Sequence, residues 1–442
     1  LATVFTWVHY RGLVVLVLLA LGNLFCMACP FMLARNAARR LLGCGEPARI
    51  WPSWLRRKWL AVALLALMLF AYEKFDLWAT PEGTAWVILG YFAAATIVDL
   101  VFRGASFCKY LCPLGHFNFL SSLVSPFEVC VADQPTCSQC RTKDCIRGRI
   151  ASPSTSPQES GGSGGEHQKL RGCELWLFQP RKTGNMDCTF CLDCVRACPY
   201  GNVGVSPRLP ASELWVDRWR SGIGRFSRRP DIAVLAVLFT FGALLNAFAM
   251  VTPVYVVERW LADVLGTESE AVVLAVLFVA GLVVLPALVV MPVAWLTWRR
   301  AGRDRGVSLR EWTTRHAYLL IPLGFGVWLA HYCFHFLSGF WTFAPVLQSF
   351  AGDVIGVALL GTPSWSLGPL LPMGWLYPVE IGMLGLGWFG SLLVGFRLAA
   401  QDDPERPWWA FLPWAVLASL LLAAAVWLMG QPMEMRGTFL VG

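Results

Sequence analysis

Eight apolar runs, each near the ~20 residues that an α-helix needs to cross the hydrocarbon core of a bilayer, constrain this sequence more than any other feature. They lie at roughly 11–33, 59–77, 84–102, 231–252, 271–297, 316–338, 373–397 and 408–429. A chain with so many such runs has to close its backbone hydrogen bonds inside helices, because lipid offers no partners. Composition agrees: 56% of the 442 residues are hydrophobic and 14% are charged, against about 45–50% and about 25% in soluble domains. A soluble enzyme and a disordered scaffold are both excluded. The formal charge of +8 is accounted for by the basic flanks that orient membrane helices and calls for no nucleic-acid partner. The expectation is an α-helical integral membrane protein of about eight transmembrane helices, with lipid as its first partner and no cleavable leader recognised at its start.

Charge sets the expected orientation. The segment 35–58 carries Arg35, Arg39, Arg40, Arg49, Arg56, Arg57 and Lys58 against Glu46, and 299–315 carries six arginines against Asp304 and Glu311. Both segments are therefore expected in the cytoplasm. Parity then puts 253–270, the 339–372 connection and both termini on the periplasmic side. The loop near 398–407 runs against this rule, since Asp402, Asp403 and Glu405 outnumber Arg397 and Arg406.

A long polar segment, about 103–230, separates a three-helix part (1–102) from a five-helix part (231–442). Within it, 151–166 has the Gly/Ser-rich composition of a flexible loop. Nine of the fifteen cysteines fall between 130 and 198, on the side expected to be reducing, which points away from disulfides and towards metal or redox chemistry. The run 188-CTFCLDCVRACP-199 has the C-x2-C-x2-C-x3-C-P spacing of a bacterial 4Fe-4S ferredoxin. Three thiolates on one tight loop reach three corners of a cuboidal cluster, and the Cys-Pro step turns the fourth away to serve another cluster. A second group, 137-CSQCRTKDC-145, reads as an irregular half of the same pattern. Crossed ligation then gives Cys137, Cys140, Cys145 and Cys198 to one 4Fe-4S cluster, and Cys188, Cys191, Cys194 and Cys173 to the other. Cys173 is preferred to Cys130 because it falls between the two motifs. Arg147, Arg149, Arg171, Arg181, Lys182 and Arg196 offset cluster charge or receive an acidic cytoplasmic donor, though an ordinary solvated face would carry them equally well.

The first and third apolar runs end in 26-CMACP-30 and 108-CKYLCP-113. With both at the cytoplasmic boundary, Cys26, Cys29, Cys108 and Cys112 are candidates for a third metal site, against the alternative of small apolar residues at helix ends. Cys44 and Cys333 read as structural. On the outer side, His331 and His335 share a helix face and His9 lies at similar depth, so the three are candidates for haem b or quinone, against plain packing histidines. Asp99, Glu73, Asp76 and Glu380 sit near helix ends, where snorkelling or pairing explains them. The apolar stretch 343–372 is expected to lie on the membrane, and Met433 with Met435 are weak candidates for Cu(I).

These motifs resemble the membrane polyferredoxins of the NapH and NosR type over about residues 1–230. The resemblance is carried by Cys108, Cys112 and Pro113, by the 188–198 run and more loosely by Cys26 and Cys29. It implies an inserted cytoplasmic ferredoxin-like α+β domain with two 4Fe-4S clusters, in a multi-pass protein of the bacterial cytoplasmic membrane. It also implies electron transfer between quinone, or a cytoplasmic donor, and other subunits of a redox complex. The helices after residue 230 fall outside it. Two further readings stay open: a redox-sensing or metal-centre assembly protein, and a transporter with a regulatory insert.

Overall fold

The computed structural model describes residues 1–43, 45, 47, 49–150, 169–356 and 360–433. Cys44, Met435 and the 151–166 stretch lie outside them. The chain opens with α1 (Val4–Ala20), an apolar helix that stops at a turn instead of running on to residue 33. Gly22 makes the stop: its φ is +66°, and a Cβ there would lie 1.9 Å from the Ser125 hydroxyl. After it come α2 (Leu24–Met27) and α3 (Pro30–Leu41), so the first cysteine pair sits on a broken segment and not at the end of a straight span. Next are α4 (Trp59–Lys74) and α5 (Pro81–Val101). With 16 residues, α4 is only about 24 Å long at 1.5 Å per residue, short of the ~30 Å core.

A π turn at Phe107–Leu111 leads into α6 (Pro113–Ser121). The cysteine-bearing segment then opens with β1 (Phe127–Val131) and continues through α7 (Gln134–Gln139), α8 (Asp144–Arg147), β2 (Arg149–Ile150), β3 (Lys169–Leu170) and α9 (Asp193–Ala197) to β4 (Val203–Pro207). β1 and β4 pair antiparallel, with Val129 opposite Val205. β2 and β3 pair in the same sense, Arg149 opposite Leu170. The segment is thus closed on itself at its base, and its ends return to one place.

The remainder is α10 (Pro230–Phe248), α11 (Pro253–Leu265), α12 (Glu270–Arg305), α13 (Leu309–Val354), α14 (Met373–Asp402) and α15 (Pro407–Met429). Among the described residues six helices, α5, α10, α12, α13, α14 and α15, are long and apolar enough to cross a membrane. The expected eight therefore divide into these six and the two shorter ones, α1 and α4. The centre is α13, whose apolar window is 94% buried, with 3-10 turns at Tyr318–Leu320 and Phe340–Thr342. It meets α14 where Gly326 faces Gly387: a Cβ on Gly387 would come within 2.7 Å of the Pro322 carbonyl, so only small residues allow this approach. The outward faces of α5, α12 and α14 expose Trp86, Leu89, Leu288 and Phe389, a surface compatible with lipid.

Candidate functional site

Cysteines followed by proline share one backbone geometry. Proline drives its predecessor out of the helical region, and Cys29, Cys112 and Cys198 accordingly have φ/ψ of −60/122°, −68/115° and −68/116°. In the two membrane-boundary motifs the proline begins the next helix, as suits a residue without an N–H. It does not merely end the preceding one, as the sequence suggests. Between the other thiols the chain turns through left-handed non-glycine residues: Lys143, Asp187, Phe190 and Leu192 all have φ between 51° and 63°.

The thiols gather in three groups. In the first, Cys137, Cys140, Cys145 and Cys198 line one cavity. Asn202 serves it twice: its Nδ2 donates to Cys137 Sγ and its backbone N–H to Cys198 Sγ, both at 3.3 Å. Burial pushes the Cys145 thiol up to about 11, and Cys198, Cys137 and Cys140 add to the effect. In the second group, burial raises the Cys194 thiol, with Cys173, Cys188 and Cys191 adding to it in that order. Burial likewise takes Cys191 up to about 12. Leu177 N–H donates to Cys173 Sγ at 3.4 Å. Cys130 stands apart on β1, opposite Gly204. In the third group, Cys26, Cys29, Cys108 and Cys112 line one cavity at the break after α1, and Gly115 N–H donates to Cys112 Sγ at 3.3 Å.

The groups lie in a row. Cys173 N–H donates to the Cys145 carbonyl at 2.7 Å, joining the first group to the second. Asn23 Nδ2 donates to the Cys188 carbonyl at 3.1 Å, and Cys26, Cys108 and Cys188 share a further cavity, joining the second to the third. Buried ion pairs fix this arrangement on the membrane helices. Arg35 meets Asp99 at 3.3 Å and Glu174 at 2.6 Å. Asp187 lies between Lys109 at 3.3 Å and Lys58 at 3.7 Å.

Each group has an N–H aimed at a sulfur, and within each the four thiols are the obvious donor set, which suits an anionic thiolate-held centre. A single zinc ion, with Zn–S bonds of about 2.3 Å, needs sulfurs about 3.8 Å apart. Among the described residues no group of three or more His, Cys, Asp or Glu is drawn together tightly enough to hold one ion. A cuboidal cluster takes one thiolate at each of four irons and would be held by the same four thiols of each group.

Other candidates fare differently. His331 and His335 pack edge to face with centroids 4.9 Å apart, and His331 has no partner on either ring nitrogen. His9 does not join them. Its Nδ1 lies 3.1 Å from the Val4 carbonyl and its Nε2 2.8 Å from the Phe340 carbonyl, so neither nitrogen is aimed at a shared ligand. Lys182 is buried and donates to the Val129 carbonyl at 2.7 Å, which removes it from any donor-docking face; Arg147, Arg171 and Arg196 stay exposed. Asp99 is paired, as one of the two expected explanations has it, and is buried with Arg35 rather than reaching for the interface. Cys333 is buried on α13, and Met433 bridges to Val251. Sequence reasoning missed Asn202, Asn23 and Asp187, because no spacing rule marks a residue that acts through a fold-dependent hydrogen bond or ion pair. Compared with known proteins, the chain matches no family model, no curated protein and no solved structure.

Proposed function

We propose that the chain is a membrane-bound iron-sulfur electron-transfer subunit of a respiratory or photosynthetic oxidoreductase complex, carrying electrons between two 4Fe-4S centres and a membrane carrier, quinone, or partner subunits. The observation that supports it most is the row of three four-thiol groups, each assembled from separate stretches of chain and running from an exposed tip to the break after α1. Cys137, Cys140, Cys145 and Cys198 hold the outer centre, and Cys173, Cys188, Cys191 and Cys194 the inner one. Cys26, Cys29, Cys108 and Cys112 form the candidate third site. A 4Fe-4S cluster, when bound, takes up and releases one electron. The protein's part is to hold and tune: N–H groups on the sulfurs favour the more negative state, and Arg147, Arg171 and Arg196 present positive charge to a cytoplasmic donor. The ferredoxin-like insert then faces the cytoplasm of a bacterium, with the helices in its inner membrane.

Iron and acid-labile sulfide, counted after anaerobic purification or reconstitution of the full chain, test this reading. About eight irons per chain are expected for two clusters, and about twelve if the third group is filled. Fewer than about four, with no visible absorbance bleached by dithionite, overturns it.

A further inference from the structure

Immediately past the third cysteine group, on its membrane side, lies a cavity of about 300 Å³, within the size range of small-molecule sites. Its walls come from α1, α4, α5, α6, α10 and α13, and nearly all are apolar: Met68, Leu69, Val87, Ile88, Phe92 and Leu238 among them. The residues that follow the two Cys-Pro steps form one end of it. Pro30 and Phe31 come directly after Cys29, Pro113 and Leu114 directly after Cys112, and all four line the cavity. Tyr10, Phe31 and Leu114 line this cavity and the cysteine cavity alike. One layer of side chains therefore separates the two.

The few polar groups are concentrated at that end and on α1. Tyr91 lines the cavity, its ring packs against Phe31 with centroids 5.5 Å apart, and its buried hydroxyl has no hydrogen-bond partner. An orphaned buried hydroxyl costs free energy unless something accepts or donates to it. The Arg11 guanidinium lies over the rings of Trp7 and Tyr72, at 4.3 Å from each centroid, and 5.1 Å from that of Tyr332. Aromatic faces, one unpartnered hydroxyl beside Phe31 and a cation held on α1, in an otherwise apolar lining, suit a flat ring that bears carbonyl oxygens and carries a hydrocarbon tail. α5, which walls one side, has only 17% of its apolar window buried, which leaves a side of the cavity open to a tail from lipid.

We infer that this cavity is the binding site of a lipid-soluble quinone, its ring oxygen accepting from the Tyr91 hydroxyl beside the Cys29/Cys112 group and its tail lying along α4 and α5. The inference rests on the electron-transfer reading and adds to it the carrier's position. The carrier then sits inside the helices, next to the third cysteine group, and not at the outer histidines.

Trp7 and Trp328 line the cavity, which gives a direct readout. In the full chain in nanodiscs, decyl-ubiquinone should quench tryptophan fluorescence saturably. Y91F, which removes only the hydroxyl, should raise the apparent Kd about tenfold, the usual weight of one such hydrogen bond. An azido-quinone should cross-link to peptides containing residues 5–11 or 87–92, a result independent of any variant. Equal competition by decanol with no effect of Y91F would make the cavity a lipid-tail pocket and overturn the inference, as would cross-links confined to α14 or α15, neither of which lines the cavity. Iron content separates the two levels: full iron loading without quinone binding sinks this inference alone, whereas no iron sinks the electron-transfer reading whatever the cavity binds.

Discussion

Asp187→Asn is the most informative single change, because it removes a charge and almost nothing else. Asp187 precedes Cys188 in a left-handed conformation (φ 63°), which Asn tolerates as well as Asp does. Its oxygens lie 3.3 Å from Lys109 Nζ and 3.7 Å from Lys58 Nζ, with only 3% of the side chain exposed. At an effective dielectric of about 20 these attractions are about 5 and about 4.5 kcal/mol. Part is lost to the mutual repulsion of the two ammoniums and to relaxation around Asn, so the net cost should fall near the ~3–5 kcal/mol of breaking a buried pair. The cost depends on pH in a definite way. Burial alone would raise the Asp187 carboxyl, but Lys109 and Lys58 hold it below the usual carboxylate range. With a depressed folded pKa, its contribution is fully present above the unfolded value of about 4 and lost as the pH falls through the folded one. On the basic side, burial lowers Lys58 to about 8 while Asp187 acts to raise it; as Lys58 loses its proton, part of the need for a partner goes too. The stability gap between wild type and D187N, read from thermal midpoints in detergent, should therefore be widest between about pH 5 and 8 and narrow on both sides. A gap under about 1 kcal/mol, or one indifferent to pH, would refute the view that this ion pair docks the cysteine loop.

Gly115→Ala should disturb the third cysteine group alone, since its Cβ would meet the Cys108 carbonyl at 2.3 Å; iron above the two-cluster count should vanish while the rest stays. Gly172→Ala puts a Cβ 2.2 Å from the Ile146 carbonyl and should instead cost iron from the first two groups, by iron analysis of the purified variant. Asn202→Leu removes the Nδ2 donor to Cys137 Sγ and should shift the outer centre to a more negative potential in an EPR-monitored titration. For topology, a cysteine in place of Asp304 should take an impermeant thiol label only in opened membranes, and one in place of Thr267 in intact cells; the reverse pattern would invert the proposed orientation.

Much of this was legible from residues alone. Six helices long enough to cross a membrane follow from apolar runs, since hydropathy and length are local properties. Spacing also names the four thiols, Cys137, Cys140, Cys145 and Cys198, that line one cavity, and Cys173 rather than Cys130 among the neighbours of Cys194. The interruption of the first run at Gly22 was not legible, because the cause is Ser125, a residue a hundred positions away. Nor was what faces the His9 ring: shared depth placed it with His331, and its nitrogens face the carbonyls of Val4 and Phe340. Asp99 read as snorkelling or paired near a helix end, and it is paired; that its partner is Arg35, across two helices, was not legible.

The crossing of the thiol sets has a consequence for how the protein is made. Cys198 leaves the ribosome about 60 residues after Cys137, and Cys112 about 85 after Cys26, which at roughly 5–20 residues per second is several seconds in each case. During that interval each group has its early thiols in place without the one that completes it, exposed to oxidants and to stray thiophilic ions. The inner group waits less, since Cys173 and Cys194 are only about 20 residues apart, a delay of roughly 1–4 seconds. On the proposed reading, loading of the first two groups has to follow the emergence of the whole segment, and β4, the strand that closes the base against β1, arrives last of all.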